Sequence, residues 1–398
     1  MALKVLMVGG RRCGKTSALA VMFDQMINGV TRNFFTTSDA THYETKDGER
    51  QDTVTSKVLE LKRFLHGRNT KTFLSDAGPN INEWKYKIKM QIPGTNRNLE
   101  IEYLDVPGEW FRTGAIDEHD GTLYAEKINL RFKEYDVFVI MVDTPYLMET
   151  PEYIYDPANC ISDIKNNITF IDNTHPAPSL GGILGHLLAG ISTYAKMVVF
   201  VPIKCEKWVK ESKLNEVVER LKDAYNTMIT ALSAYEKMSI CILPIETAGN
   251  IHFSEMQEAL KLNGNDLKDR CCKVSGKMVR MQDGTMRTLK EGDILNIDMD
   301  SVMGNTGIIR PYAWYHVDNN ANPRGYAPHN CDQLTLHILK FYVQKVLNES
   351  PAGILGRLWS IFFGGIRKEE MIAKLNQMEA AHVIKENVDG IEYIKRAF

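Results

Sequence analysis

The residues Gly9-Gly10-Arg11-Arg12-Cys13-Gly14-Lys15-Thr16 have the types and the spacing to hold phosphate. They fit the pattern G-x-x-x-x-G-K-[ST]. Its glycines let backbone N–H groups curl around phosphate oxygens, and its lysine adds a point charge where β- and γ-phosphates would lie. The Thr16 hydroxyl can ligate Mg²⁺, and a helix opening at Ser17 directs its positive N-terminal end at the anion. A second set follows at Asp105-Val106-Pro107-Gly108. A carboxylate there can hold a magnesium shell through water, and the Gly108 N–H can meet a γ-phosphate.

These groups need elements to bring them together. Leu3 to Val8 is a short apolar, β-branched run, read as the strand that feeds the phosphate loop. Ser17 to Asn28 reads as the first helix, ended by Gly29; Asn33 to Thr55 reads as loop and Val54 to Leu65 as helix. Trp84 to Ile92 alternates strictly between apolar and polar, Pro93-Gly94-Thr95-Asn96 turns, and Leu99 to Leu104 alternates back. This predicts an antiparallel hairpin at a sheet edge, with Asp105 at the carboxyl end of its second strand. In an open α/β sheet ligand sites collect at such ends, so Asp105 and the phosphate loop are expected to converge. Tyr135 to Asp143, Lys196 to Val201 and Met238 to Ile245 are near-continuous apolar runs, as strands of a buried parallel sheet require. Leu214, Val217, Val218, Leu221, Tyr225, Met228, Ile229 and Leu232 predict one long amphipathic helix, and Asp332 to Leu347 a closing one.

In this order the motifs resemble the Ras-like, translation-factor-related (TRAFAC) class of P-loop GTPases over roughly residues 3 to 348. The fold implied is α/β, a mostly parallel sheet with one antiparallel edge hairpin and helices on both faces. The implied activity is Mg²⁺-dependent binding and hydrolysis of GTP, with segments 30–82 and 106–121 as the switch. At the family's guanine-reading N-K-x-D position stands Ile203-Lys204-Cys205-Glu206. Lys204 matches, and Glu206 keeps a carboxylate able to accept both guanine N1–H and the exocyclic amine. Ile203 replaces the orienting asparagine, which leaves an ATPase on the same fold as the alternative. Glu246-Thr247-Ala248-Gly249 resembles the family's last loop over the base, through Thr247 and Ala248.

The resemblance also assigns the catalytic parts. Lys15 serves the phosphates, and Glu109 stands where relatives carry the water-orienting glutamine, so slow turnover is expected. Arg11 either supplies charge in cis like an arginine finger or, with Arg12, faces solvent. Thr72 is the chosen switch threonine for Mg²⁺ in the triphosphate state, with Thr36, Thr37, Thr53 and Thr70 competing. A nucleotide-holding module with little turnover is the reading from a different class.

Two insertions, about 144–195 and 252–330, enlarge this plan to a GTPase domain of residues 1–348. The second holds an expected hairpin, Lys277–Met281 and Met286–Leu289, turning at Asp283-Gly284. With its D-V-P-G-E and K-C-E-K-W variants the chain is similar to the double-GTPase modules of bacterial conflict systems, which implies a role in defence. Residues 349–398 read as a helical tail. Ile354, Leu355, Leu358, Trp359, Phe362 and Ile366 share one face, which can pack on its own domain, dock a protein partner or lie against a membrane surface. A charged helix over Lys368–Lys385 is expected to follow.

The 398 residues carry 48 Lys+Arg against 50 Asp+Glu, so no global basic field supports nucleic-acid binding. Seven scattered cysteines and no apolar run of membrane-spanning length point to a reduced, cytoplasmic protein with buried thiols.

Overall fold

Five apolar residues among the six of Leu3–Val8 leave that strand no wet face, and it lies in the interior of the main sheet. The computed structural model describes residues 3–9, 13–28, 36–38, 43–44, 84–91, 98–107, 134–149, 195–247, 249, 251–262, 270–273, 278–280, 286–288, 307–317, 327–349, 368–381 and 383–398. In chain order, β1 (Leu3–Val8) leads into α1 (Lys15–Asn28), then β2 (Thr36–Ser38), β3 (Tyr43–Glu44), β4 (Trp84–Gln91) and β5 (Asn98–Asp105). There follow β6 (Val137–Asp143), α2 (Thr144–Glu149), β7 (Lys196–Ile203), α3 (Glu206–Lys210), α4 (Leu214–Ala224), α5 (Asn226–Ser233) and β8 (Met238–Ile242).

β1 pairs in parallel with β5 on one side and β6 on the other, and β7 and β8 continue the parallel run. Every residue of β6 and β7 is buried, which is the core that their unbroken apolar runs anticipated. β4 and β5 form the expected antiparallel hairpin, in register from Trp84↔Asp105 to Gln91↔Asn98. Residues 33–55 are not all loop, however. Thr36–Ser38 and Tyr43–Glu44 pair antiparallel with β4 on its outer side. An edge strand exposes a row of unpaired N–H and C=O groups, and two short β-prone stretches cover it.

A single helix over 214–232 is also corrected. It breaks into α4 and α5 at Tyr225, whose φ of −109° and ψ of 15° leave the helical region. Tyr225 is buried, with its ring 5.4 Å from that of Phe200 on β7. Seating that ring against the sheet accounts for the bend.

The second insertion forms a separate unit within Asn250–Arg324. It holds β9 (Ile251–Leu262), β10 (Arg270–Lys273), β11 (Met278–Arg280), β12 (Met286–Thr288) and β13 (Gly307–Val317). β9 is the middle strand of an antiparallel three-stranded sheet between β10 and β13. β11 and β12 pair antiparallel where the hairpin was expected.

Beyond it come α6 (Cys331–Glu349), packed on α1, then α7 (Lys368–Ala380) and β14 (Glu392–Lys395). The tail is therefore not helical throughout. Its charged helix stops at Ala380, and Glu392 and Tyr393 pair antiparallel with Ile242 and Cys241 of β8. The Glu392-Tyr393-Ile394-Lys395 segment sets a β-prone aromatic and β-branched pair between two charges, and all four residues are half-buried, as on an edge strand. Among the described residues the main sheet runs β14-β8-β7-β6-β1-β5-β4-β2, with β3 also on β4. This is an α/β fold with a parallel core, the expected antiparallel hairpin and helices packed on the sheet. Expected features at 54–65, 150–194 and 354–366, and most of the two switch segments, lie outside the described residues.

Candidate functional site

Parallel pairing sets Met7 opposite Asp105, so β1 and β5 leave the sheet at the same end. The Val106 N–H donates to Met7 O at 3.4 Å. From β1 the chain passes through Gly9 and returns as α1, whose first turn closes with Ala18 N–H on Gly14 O at 2.9 Å. Gly14 has a φ of +104°, which a side chain rarely adopts, and the Ile203 Cδ1 would lie 3.1 Å from a Cβ there.

That turn delivers two side chains to Asp105. Lys15 Nζ donates to Gly9 O at 3.0 Å and stands 3.9 Å from Asp105 Oδ1. Thr16 Oγ1 donates to Asp105 Oδ2 at 2.9 Å. Asp105 is buried, and its Oδ1 has no hydrogen bond among the described residues. Burial pushes its carboxyl above the usual range, with Lys15 and the Thr16 hydroxyl acting in the opposite direction. A buried carboxylate with an unserved oxygen beside a hydroxyl is the hard-oxygen set that suits Mg²⁺, so Thr16 and Asp105 fit the expected ion. Cys13, also in the loop, is a buried thiol whose pKa burial raises, which keeps it protonated and unreactive.

The next two strand ends supply a second group. Register places Asp143, the last residue of β6, opposite Ile203, the last of β7. Lys204 then takes a left-handed φ of 66° and donates from Nζ to Asp143 Oδ2 at 2.5 Å. Glu206 opens α3, is buried, and accepts the Thr247 N–H on Oε1 at 3.3 Å. The Cys205 N–H donates to Ile245 O at 3.3 Å, so the turns after β7 and β8 are tied together twice.

The fold thus gathers Gly9, Cys13, Gly14, Lys15, Thr16, Ser17 and Asp105 around one turn, and Lys204, Glu206 and Thr247 around another. The approach of Ile203 to Gly14 joins the two. Where an asparagine was expected the contact is apolar. Gly10, Arg11, Arg12, Thr72, Gly108, Glu109 and Ala248 lie outside the described residues. Asp143 escaped the sequence reading. Its signal was a lone carboxylate ending a seven-residue apolar strand, Val137–Asp143.

No family model matches the chain, and neither does any curated protein. Among solved structures it is similar to the cytosolic domain of FeoB from L. pneumophila, at 14% identity and a TM-score of 0.23. That match covers 61% of this chain and 62% of the other, so the chain spans less than two thirds of the FeoB domain. It is also similar to the GTPase-like domain of Ski7 from S. cerevisiae, solved bound to GTP, at 8% identity and a TM-score of 0.31, covering 82% and 74%. The functional reading therefore rests on the chain's own residues. Among these described residues no helix is long and apolar enough to cross a membrane.

Proposed function

We propose that this chain is a Mg²⁺-dependent GTP-binding protein that hydrolyses GTP slowly and acts as a nucleotide-dependent switch in the cytoplasm. The observation that carries this is the cluster at the shared exit of β1 and β5, where Lys15, Thr16 and a half-satisfied Asp105 meet at the start of α1. Lys15 and the loop N–H groups hold the β- and γ-phosphates, while Thr16 and Asp105 hold Mg²⁺, with Thr72 added in the triphosphate state. Bound Mg²⁺ supplies positive charge against the oxygens of the transferring group. A carboxylate at position 109 would orient water less well than a glutamine, because like charge near the γ-phosphate is repelled, which is the reason for slow turnover. Gly108 offers its N–H to that phosphate, and Arg11 supplies charge in cis. Lys204, Glu206 and the Thr247-Ala248 loop read guanine. The switch segments, the insertions and the tail are the surfaces for a protein partner or a membrane surface.

Lys15→Ala tests the reading through single-turnover release of phosphate from GTP with Mg²⁺. We expect the rate to fall at least about a hundredfold, as loss of a transition-state charge contact requires. An undiminished rate overturns the assignment. Competition between unlabelled GTP and ATP decides the base: preference for ATP makes the protein an ATPase on the same fold. Conversion of no bound GTP over hours, alone or with a partner, makes it a nucleotide-holding module.

A further inference from the structure

We infer that Asp143 is a positioning residue for base recognition, acting through Lys204 on Glu206. This rests on the reading of Glu206 as the carboxylate that meets the base. Asp143 lies where β6 passes into α2, directly opposite Ile203 in the parallel register. Two consecutive residues at that junction grip two consecutive residues after β7. Asp143 Oδ2 accepts from Lys204 Nζ at 2.5 Å, and the Thr144 hydroxyl lies 3.3 Å from the Cys205 Sγ. Both Asp143 and Thr144 are buried.

The gripped segment needs holding. Lys204 is a non-glycine residue at a φ of 66°, a left-handed conformation that its Cβ opposes and that persists only where the surroundings impose it. Glu206 stands two residues further on, so a Lys204 that relaxes to right-handed or extended backbone redirects the Glu206 carboxylate. Asp143 also keeps a buried Oδ1 with no hydrogen bond among the described residues. A merely structural strand end would be expected to shed that unserved charge, whereas a group that orients a recognition turn keeps it.

The test measures binding of GDP, inosine diphosphate and ATP to the wild-type full chain, Asp143→Ala and Asp143→Asn, with the melting temperature of each nucleotide-free protein. Inosine lacks the exocyclic amine that a carboxylate reads, so the GDP-to-inosine-diphosphate ratio reports the placement of Glu206. We expect Asp143→Ala to lose roughly tenfold to a hundredfold in GDP affinity, the range of a charge-assisted hydrogen bond, and less for inosine diphosphate, compressing the ratio. The isosteric Asp143→Asn, which still accepts from Lys204, recovers part of it and serves if the alanine variant does not fold. Equal losses for both nucleotides, or an unchanged ratio in a folded variant, overturn the inference while the base reading stands. A wild-type chain that does not distinguish GDP from the other two overturns both.

Discussion

Asp105 is held by contacts that serve only part of it. Its Oδ2 takes the Thr16 hydroxyl, while Oδ1 has Lys15 only at ion-pair distance, and burial works against its charge. A divalent cation relieves that desolvation, so the proposed function makes nucleotide affinity depend on Mg²⁺ through this side chain. Asp105→Asn keeps the shape and removes the charge. We expect it to cut the tightening of GTP binding on addition of Mg²⁺ by about tenfold to a hundredfold, with little change in the presence of a chelator. Titration of labelled GTP with and without chelator checks this, and an intact Mg²⁺ effect would show that another residue carries the ion.

At the scale of elements, α1 does more than carry Lys15 and Thr16 to Asp105. Gln25, near its far end, donates from Nε2 to Pro328 O at 3.1 Å and accepts the Asp332 N–H on Oε1 at 2.8 Å. That N–H belongs to the first turn of α6, where backbone donors have no partner within the helix. One side chain of α1 therefore caps α6 across more than three hundred residues of sequence. Gln25→Ala should cost about 1–2 kcal/mol of stability, read as a lower urea midpoint at an unchanged slope. No loss would mean that water serves the end of α6 equally well. The core strands β1, β6, β7 and β8, the β4–β5 hairpin and helices α1 and α6 were legible because each buries what its apolar run or alternation announces, whereas β2, β3, β9, β10, β13 and β14 were not. The bend at Tyr225 was not, since a tyrosine at helical spacing looks the same whether or not its ring is drawn against Phe200.

At the scale of the molecule, the C-terminal residues close the sheet beside β8 and are fastened to α6. Gln333 Nε2 donates to Val383 O at 2.9 Å, and Lys385 N–H returns to Gln333 Oε1 at 2.9 Å. His337 lies between Tyr393 OH and Lys385 O, each at 2.8 Å. A carbonyl only accepts, so Nε2 carries the proton and Nδ1 accepts from the tyrosine. Burial pushes the imidazole down to about 4, the Lys385 carbonyl and Glu386 acting in the opposite direction. Between about pH 4 and 6.5 the unfolded chain binds a proton here that the folded chain refuses. Stability therefore rises with pH across that window, by at most about 3 kcal/mol, and this contribution levels off on either side. Urea unfolding from pH 4 to 7 should show that rise in the wild-type protein and a shallower one in His337→Gln. Parallel curves would mean that His337 is not the group responsible.

The sequence by itself determined the candidate phosphate loop, the core strands as apolar segments, the place of Asp105 at a strand end, and the candidacy of Lys204 and Glu206. These are local properties: spacing, period and glycine positions survive without knowledge of neighbours. Tertiary structure alone decided which groups face one another. It brought Asp143 to Lys204 through a register between strands more than fifty residues apart, set Ile203 against Gly14, and turned the end of an expected helical tail into β14. The physical reason is that a carboxylate or a short charge-flanked segment is equally at home in water, and only a partner supplied by distant chain makes it part of a site or a sheet.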